Sequence, residues 1–141
     1  MKKSIFSLAI VMVLSLLVSA SNPSKNDFLG TWLVQDKDAK VELSINANGT
    51  LEGKCVWHKT PNLKDVHNKN PELRDRPVVG MKVVWGFKWN AEEHMWDDGN
   101  VYKEGKIYCG KMKLNPDGTI FLKGNICNTP LGKTNTWTRV K

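Results

Sequence analysis

The sequence predicts an all-β fold: a single small antiparallel up-and-down β-barrel of about eight strands. Three observations carry that expectation. Apolar and polar residues alternate with period two in several segments, as half-buried antiparallel strands do. Gly-containing turns separate those segments. Gly30-Thr31-Trp32 near the start and Thr136-Trp137-Thr138-Arg139-Val140 at the finish look built to meet, which closes the sheet and removes exposed edges.

In chain order, residues 1–20 read as a secretory signal rather than as part of the fold. Lys2 and Lys3 form a positive region, residues 5–18 an apolar run, and Val18-Ser19-Ala20 a small-residue cleavage site before Ser21. The apolar run is short for a spanning helix, which needs about 20 residues. An uncleaved N-terminal anchor is the alternative. The Lys-Lys start and short apolar run read as bacterial, so the expected location is the periplasm, with release outside the cell second. Cleavage leaves 121 of the 141 residues and, with Lys2 and Lys3 gone, lowers the formal charge from +7 to +5. That length suits one domain with one core, residues 21–141.

A helical turn is expected near 24–28, then strands at 29–35, 40–46, 50–58, 81–89, 95–97, 100–104, 106–114, 119–126 and 134–140. Hairpin turns are expected at Asn48-Gly49, Asp98-Gly99, Glu104-Gly105 and Asp117-Gly118. A second helical turn fits within 71–76. The segment 59–77 is the longest connection. Connections of that length in compact domains are usually lids or mobile linkers.

Gly30, Trp32 and Arg139 are the expected closure of the barrel, with the guanidinium stacked on the indole, a contact worth roughly 0.5–2 kcal/mol. Six Trp residues lie in a short chain. Such rings either fill the core or wall a cavity for an apolar ligand. The best wall reads as Met81, Val83, Trp85, Phe87 and Trp89 on one strand face, joined by Trp57, Tyr108 and Met112. Arg74 and Arg76, two apart before Pro77, would clamp a carboxylate or phosphate if extended. Alternatively one of them pairs with Asp75 or Glu72 and pins the loop. The candidate ligand-binding set is therefore Trp57, Met81, Trp85, Phe87, Trp89, Tyr108, Arg74 and Arg76, favouring an anionic head group.

The three cysteines are Cys55, Cys109 and Cys127. Cys55 shares an inward face with Leu51, Gly53 and Trp57 and is expected to be a buried, inert thiol. The hairpin at 115–118 sets Cys109 and Cys127 on opposite ribbon faces. Joining them needs a bulge near Gly124 or Ile126, and both outcomes stay open. The histidines His58, His67 and His94 form no close-spaced ligand pair with another His or Cys, so no metal is expected. No catalytic signature or phosphate-binding Gly loop is present, and no cofactor or catalytic residue is assigned.

Two resemblances follow from these residues. Gly30-x-Trp32 with Arg139 resembles the lipocalin and calycin signature, an early Trp packed against a late Arg. The chain is also similar to a bacterial family of secreted domains of unknown function. Gly53-Lys54-Cys55-Val56-Trp57, the run Asn70-Pro71-Glu72-Leu73-Arg74-Asp75-Arg76-Pro77, Trp85-Gly86-Phe87 and Leu131-Gly132-Lys133-Thr134-Asn135-Thr136-Trp137-Thr138-Arg139-Val140 carry that likeness. It implies a small lipocalin-like barrel. Family members often carry a Cys where Glu52 stands, so their short-range disulfide is not carried over.

The resulting expectation is a non-enzymatic envelope barrel that binds a small apolar or amphipathic molecule, with no nucleic-acid partner. The alternatives are an inert envelope module that meets an anionic polymer or protein through its basic surface, and a hydrolase or isomerase using His67 or His58.

Overall fold

Eight segments with enough alternating apolar residues to bury one face pair in sequence order. In the computed structural model, which describes residues 21–141, they are β1 (Gly30–Leu33), β2 (Ala39–Ile45), β3 (Leu51–His58), β4 (Lys82–Asn90), β5 (Met95–Lys103), β6 (Lys106–Leu114), β7 (Ile120–Asn125) and β8 (Gly132–Arg139). Each pairs antiparallel with its neighbour. β1 also pairs with β8, placing Trp32 opposite Arg139 and closing the barrel. The secretory signal read at 1–20 lies outside the described residues. Short 3₁₀ turns form at Lys25–Phe28 and Pro71–Leu73, where helical turns are expected.

Two of the expected strands, 95–97 and 100–104, are one strand. Asp98-Gly99 is not a hairpin turn. Asp98 takes a left-handed φ of 55° inside β5, and the pairing with β6 shifts between Trp96 and Gly99. This is a bulge, and it bends the wall. Gly99 is needed for space: a Cβ there would collide with the Phe87 ring. The actual reversal between β4 and β5 is residues 91–94.

The core collects at the end of the barrel marked by the first 3₁₀ turn. Phe28, Trp32, Phe87, Trp96, Met112 and Ile120 are all fully buried there or in the adjoining barrel interior. Trp89 stands edge-on to both Phe28 and Trp96, at centroid distances of 5.9 and 5.3 Å. Arg139 seals this end. Its guanidinium carbon lies 4.2 Å from the Trp32 ring centroid. Its two terminal nitrogens donate to the Leu29 and Asp27 carbonyls at 2.8 and 2.6 Å. The Trp32 indole N–H donates to the Phe28 carbonyl at 2.9 Å. One guanidinium thus satisfies the carbonyls of the turn while covering an apolar ring.

Cys109 and Cys127 form a disulfide, with Cα atoms 5.0 Å apart. The strand β7 ends at Asn125, opposite Cys109. Beyond it Ile126 and Leu131 close a turn, with the Ile126 N–H donating to the Leu131 carbonyl at 2.9 Å. The chain has left the ribbon before Cys127, so the opposite-face argument no longer applies to it.

Candidate functional site

The other end of the barrel is hollow. Loops 34–38, 59–81 and 104–105 surround a cavity of about 290 Å³. Its floor is Val41, Val84, Leu122 and Trp137, which also belong to the packed core. Cys55 and Met81 form part of its wall, and Leu63, Val66 and Val78 of the long loop complete it. The aromatic rings of the closed end are absent from its lining, which is largely aliphatic. Polar side chains, among them Asp36, Asp38, His58, His67 and Lys103, stand around the rim.

The long loop is held by a buried carboxylate. Asp65 is 4% exposed. Its Oδ1 accepts from the Tyr102 hydroxyl at 2.5 Å, a contact that reaches from the loop to β5. Its Oδ2 accepts from Asn68 at 2.7 Å and from the Arg76 Nε and Nη2 at 3.2 and 3.1 Å. The Asp65 N–H donates to the Arg76 carbonyl at 3.0 Å, so both arms of the loop converge here. Burial pushes the Asp65 carboxyl up, but the hydrogen bonds from Tyr102, Asn68 and Arg76 outweigh it and hold it below its ordinary value. Tyr102 moves the opposite way, raised by burial and by its bond to Asp65. Next to Tyr102 the loop backbone crosses so close to Gly105 that a Cβ there would collide with the His67 carbonyl. Only glycine fits this crossing, and its φ of 80° is in the left-handed region as well.

The sequence candidates fall in several places. Met81 is buried and lines the cavity. Trp85 does not share the inward face of Phe87. Gly86 takes a φ of 74°, and the β3–β4 pairing shifts between Leu51 and Gly53. The extra residue reverses the alternation, so Val84 and Phe87 both point inward and Trp85 points out. Phe87 and Trp89 pack in the core rather than on the cavity. Trp57 is 40% exposed and lies under the Lys40 ammonium, 5.0 Å from the ring centroid. The β2–β3 pairing shifts between Lys40 and Val41, which turns Trp57 out of phase with Cys55. Tyr108 is half-buried and is not part of the lining.

Arg74 and Arg76 do not form a clamp at the cavity. Arg74 donates to the Asn68 carbonyl at 2.8 Å. Arg76 is committed to Asp65, not to Asp75 or Glu72. Trp85 and Arg76 do meet, with Lys69, Lys82 and Ile107, in a groove on the outside of the barrel. Tyr102 borders both this groove and the cavity, so the Asp65 cluster is the partition between them.

Cys55 is 2% exposed, and its thiol donates to the Trp57 carbonyl at 3.4 Å. Burial pushes that thiol up. His58 and His67 both border the cavity, but the His58 Nδ1 accepts from the Thr60 N–H at 3.0 Å. Thiol and imidazole are thus spent on backbone partners rather than on each other. Among the described residues, no group of three or more His, Cys, Asp or Glu side chains is arranged to hold a metal ion.

Asp65, Asn68 and Tyr102 as a cluster escaped sequence reasoning. Tyr102 is 37 residues from Asp65 and carries no pattern that points to it.

No curated protein matches the chain. Among solved structures it is similar to protein HP1028 from the human pathogen Helicobacter pylori, described as belonging to the lipocalin family. The two share 24% identity and a TM-score of 0.71, covering 80% of this chain and 82% of that one. At that identity the likeness is one of fold: this chain is a lipocalin-like eight-stranded barrel. The family described as "Uncharacterized protein conserved in bacteria (DUF2147)" matches residues 30–139, from the glycine of the closure to its arginine, and the chain belongs to that family.

Proposed function

We propose that this protein binds a small apolar or amphipathic molecule in the cavity at the open end of its barrel, and that it does so in the bacterial envelope after loss of residues 1–20. The observation that carries the reading is the contrast within one barrel: one end is packed with rings, and the other keeps an aliphatic hollow of about 290 Å³ under a loop fixed by its own buried cluster. That volume is near the lower bound of small-molecule pockets. A largely aliphatic lining, with the Cys55 thiol and the His58 Nδ1 both engaged by backbone groups, supports carriage over turnover. The Cys109–Cys127 disulfide is in keeping with an oxidising compartment.

The test is binding of a medium-chain alcohol such as octanol to the protein beginning at Ser21, followed by Trp emission and by thermal midpoint. Trp137 on the cavity floor is the expected reporter. Leu122→Phe, which fills the floor, is expected to abolish the response, and Trp57→Ala, on the outer surface, to leave it unchanged. A response that survives Leu122→Phe and disappears with Trp57→Ala would move the site to the exterior. Sequencing the N-terminus of the exported protein checks the location, with Ser21 expected first.

A further inference from the structure

The charge around the cavity can be assigned pair by pair. Lys103 meets Asp36 at 3.2 Å, and Arg76 meets Asp65 at 3.1 Å. Lys64 stands 4.0 Å from Asp75. Both lysines that border the cavity therefore face a carboxylate. Two of its acids, Asp38 and Glu104, have no salt-bridge partner among the described residues. Both line the cavity. Burial pulls the Lys103 ammonium down, yet the bond to Asp36 and the charges of Glu104 and Asp38 outweigh it and leave it raised. Asp38 also contributes to raising the Cys55 thiol on the adjoining strand. Among the side chains that line the cavity, four are carboxylates and two are lysines. Lys37, Lys59 and Lys106 stand on the same rim but do not line the cavity.

We propose that the cavity selects amphiphiles with a cationic head: the alkyl part lies on the aliphatic floor, and an ammonium sits at Asp38 and Glu104. This rests on the binding reading above and replaces the expectation of an anionic head, because neither Arg74 nor Arg76 lines the cavity. The aliphatic hollow supplies the site itself, and the two carboxylates set its preference.

The experiment compares octylammonium, octanol and octanoate, which share one tail, binding to the protein beginning at Ser21 at neutral pH. Octylammonium is expected to bind about three- to tenfold more tightly than octanol, the range two partly exposed charge contacts provide. Octanoate is expected to bind most weakly. The gap should shrink in high salt. In the double variant Asp38→Asn, Glu104→Gln the ammonium should fall to the affinity of the alcohol, while the alcohol itself is unaffected. Equal binding of ammonium and alcohol, tighter binding of octanoate, or a preference that persists in the double variant would each overturn the proposal and leave the cavity reading standing. Binding of none of the three would remove the cavity reading and this one with it.

Discussion

The two ends of this barrel solve the same problem with different materials. At the closed end, large rings fill the space: Trp32, Phe28, Trp89 and Trp96 interlock, and Arg139 covers what remains. At the open end most inward positions are Val, Leu, Met and Cys, which stop short of one another across the barrel. The loop 59–81 does not fill the gap either. It spans it, and its own polar cluster keeps it there. The difference teaches that a hollow in a small barrel needs two things: side chains that stop short, and a rim that does not collapse inward. Here the first comes from residue size and the second from the Asp65 cluster.

Truncations at the two ends should therefore differ. Trp32→Ala removes a fully buried ring from a packed region and is expected to cost about 3–5 kcal/mol. Met81→Ala enlarges a space that already exists, and its cost should lie near the low end for such changes, about 2 kcal/mol. Chemical denaturation of both variants checks this. Equal losses would mean that the open end is as tightly packed as the closed one.

The seal itself is the next largest effect. Arg139→Ala gives up the stack on Trp32 and both carbonyl contacts, at about 1–3 kcal/mol. Arg139→Lys should lose most of that, since an ammonium lacks the planar fork that spans Leu29 and Asp27. A lysine variant as stable as the parent would show that charge alone, not shape, closes this end.

The latch at the open end should give the smallest change. Tyr102→Phe leaves one buried oxygen of Asp65 without its donor and is expected to cost about 1–2 kcal/mol. The pH dependence follows from the two shifts. Asp65 is held below its ordinary value, so its contribution is complete above the usual carboxylate range, begins to fall at about pH 4 and is lost further down. Tyr102 is raised, so its contribution is complete below about pH 10 and is lost as pH rises beyond that. The stability difference between the parent and Tyr102→Phe should narrow at both extremes. A constant difference from acid to alkali would take the pair out of the latch.

Much of the wall was legible in the sequence because its signals are local. Alternation, Gly-containing turns and the matched ends around Trp32 and Arg139 each involve a few neighbouring residues, and the register that joins the ends follows from closure. The site was far less legible. Two of the misplaced aromatics are separated from their expected face by a bulge: Trp85 at Gly86, and Trp57 beside Lys40. One extra residue reverses a period-two pattern, and nothing in the composition of a strand reports it. Asp98-Gly99 misled for a related reason. The dipeptide that favours a hairpin also favours a bulge, and only the Phe87 ring pressed against Gly99 distinguishes them. The disulfide depended on where β7 stops, which is set by the turn after Asn125.

Cys55 has a consequence for the other two cysteines. Three cysteines permit three different single bonds, and the fold holds one of them. Exchange between thiol and disulfide requires a thiolate that can reach a sulfur atom. The thiol of Cys55 is enclosed by the barrel wall and pushed toward its protonated form by burial. Once the wall has formed, the odd cysteine is held apart from the other two, and Cys109–Cys127 is the bond that the fold keeps.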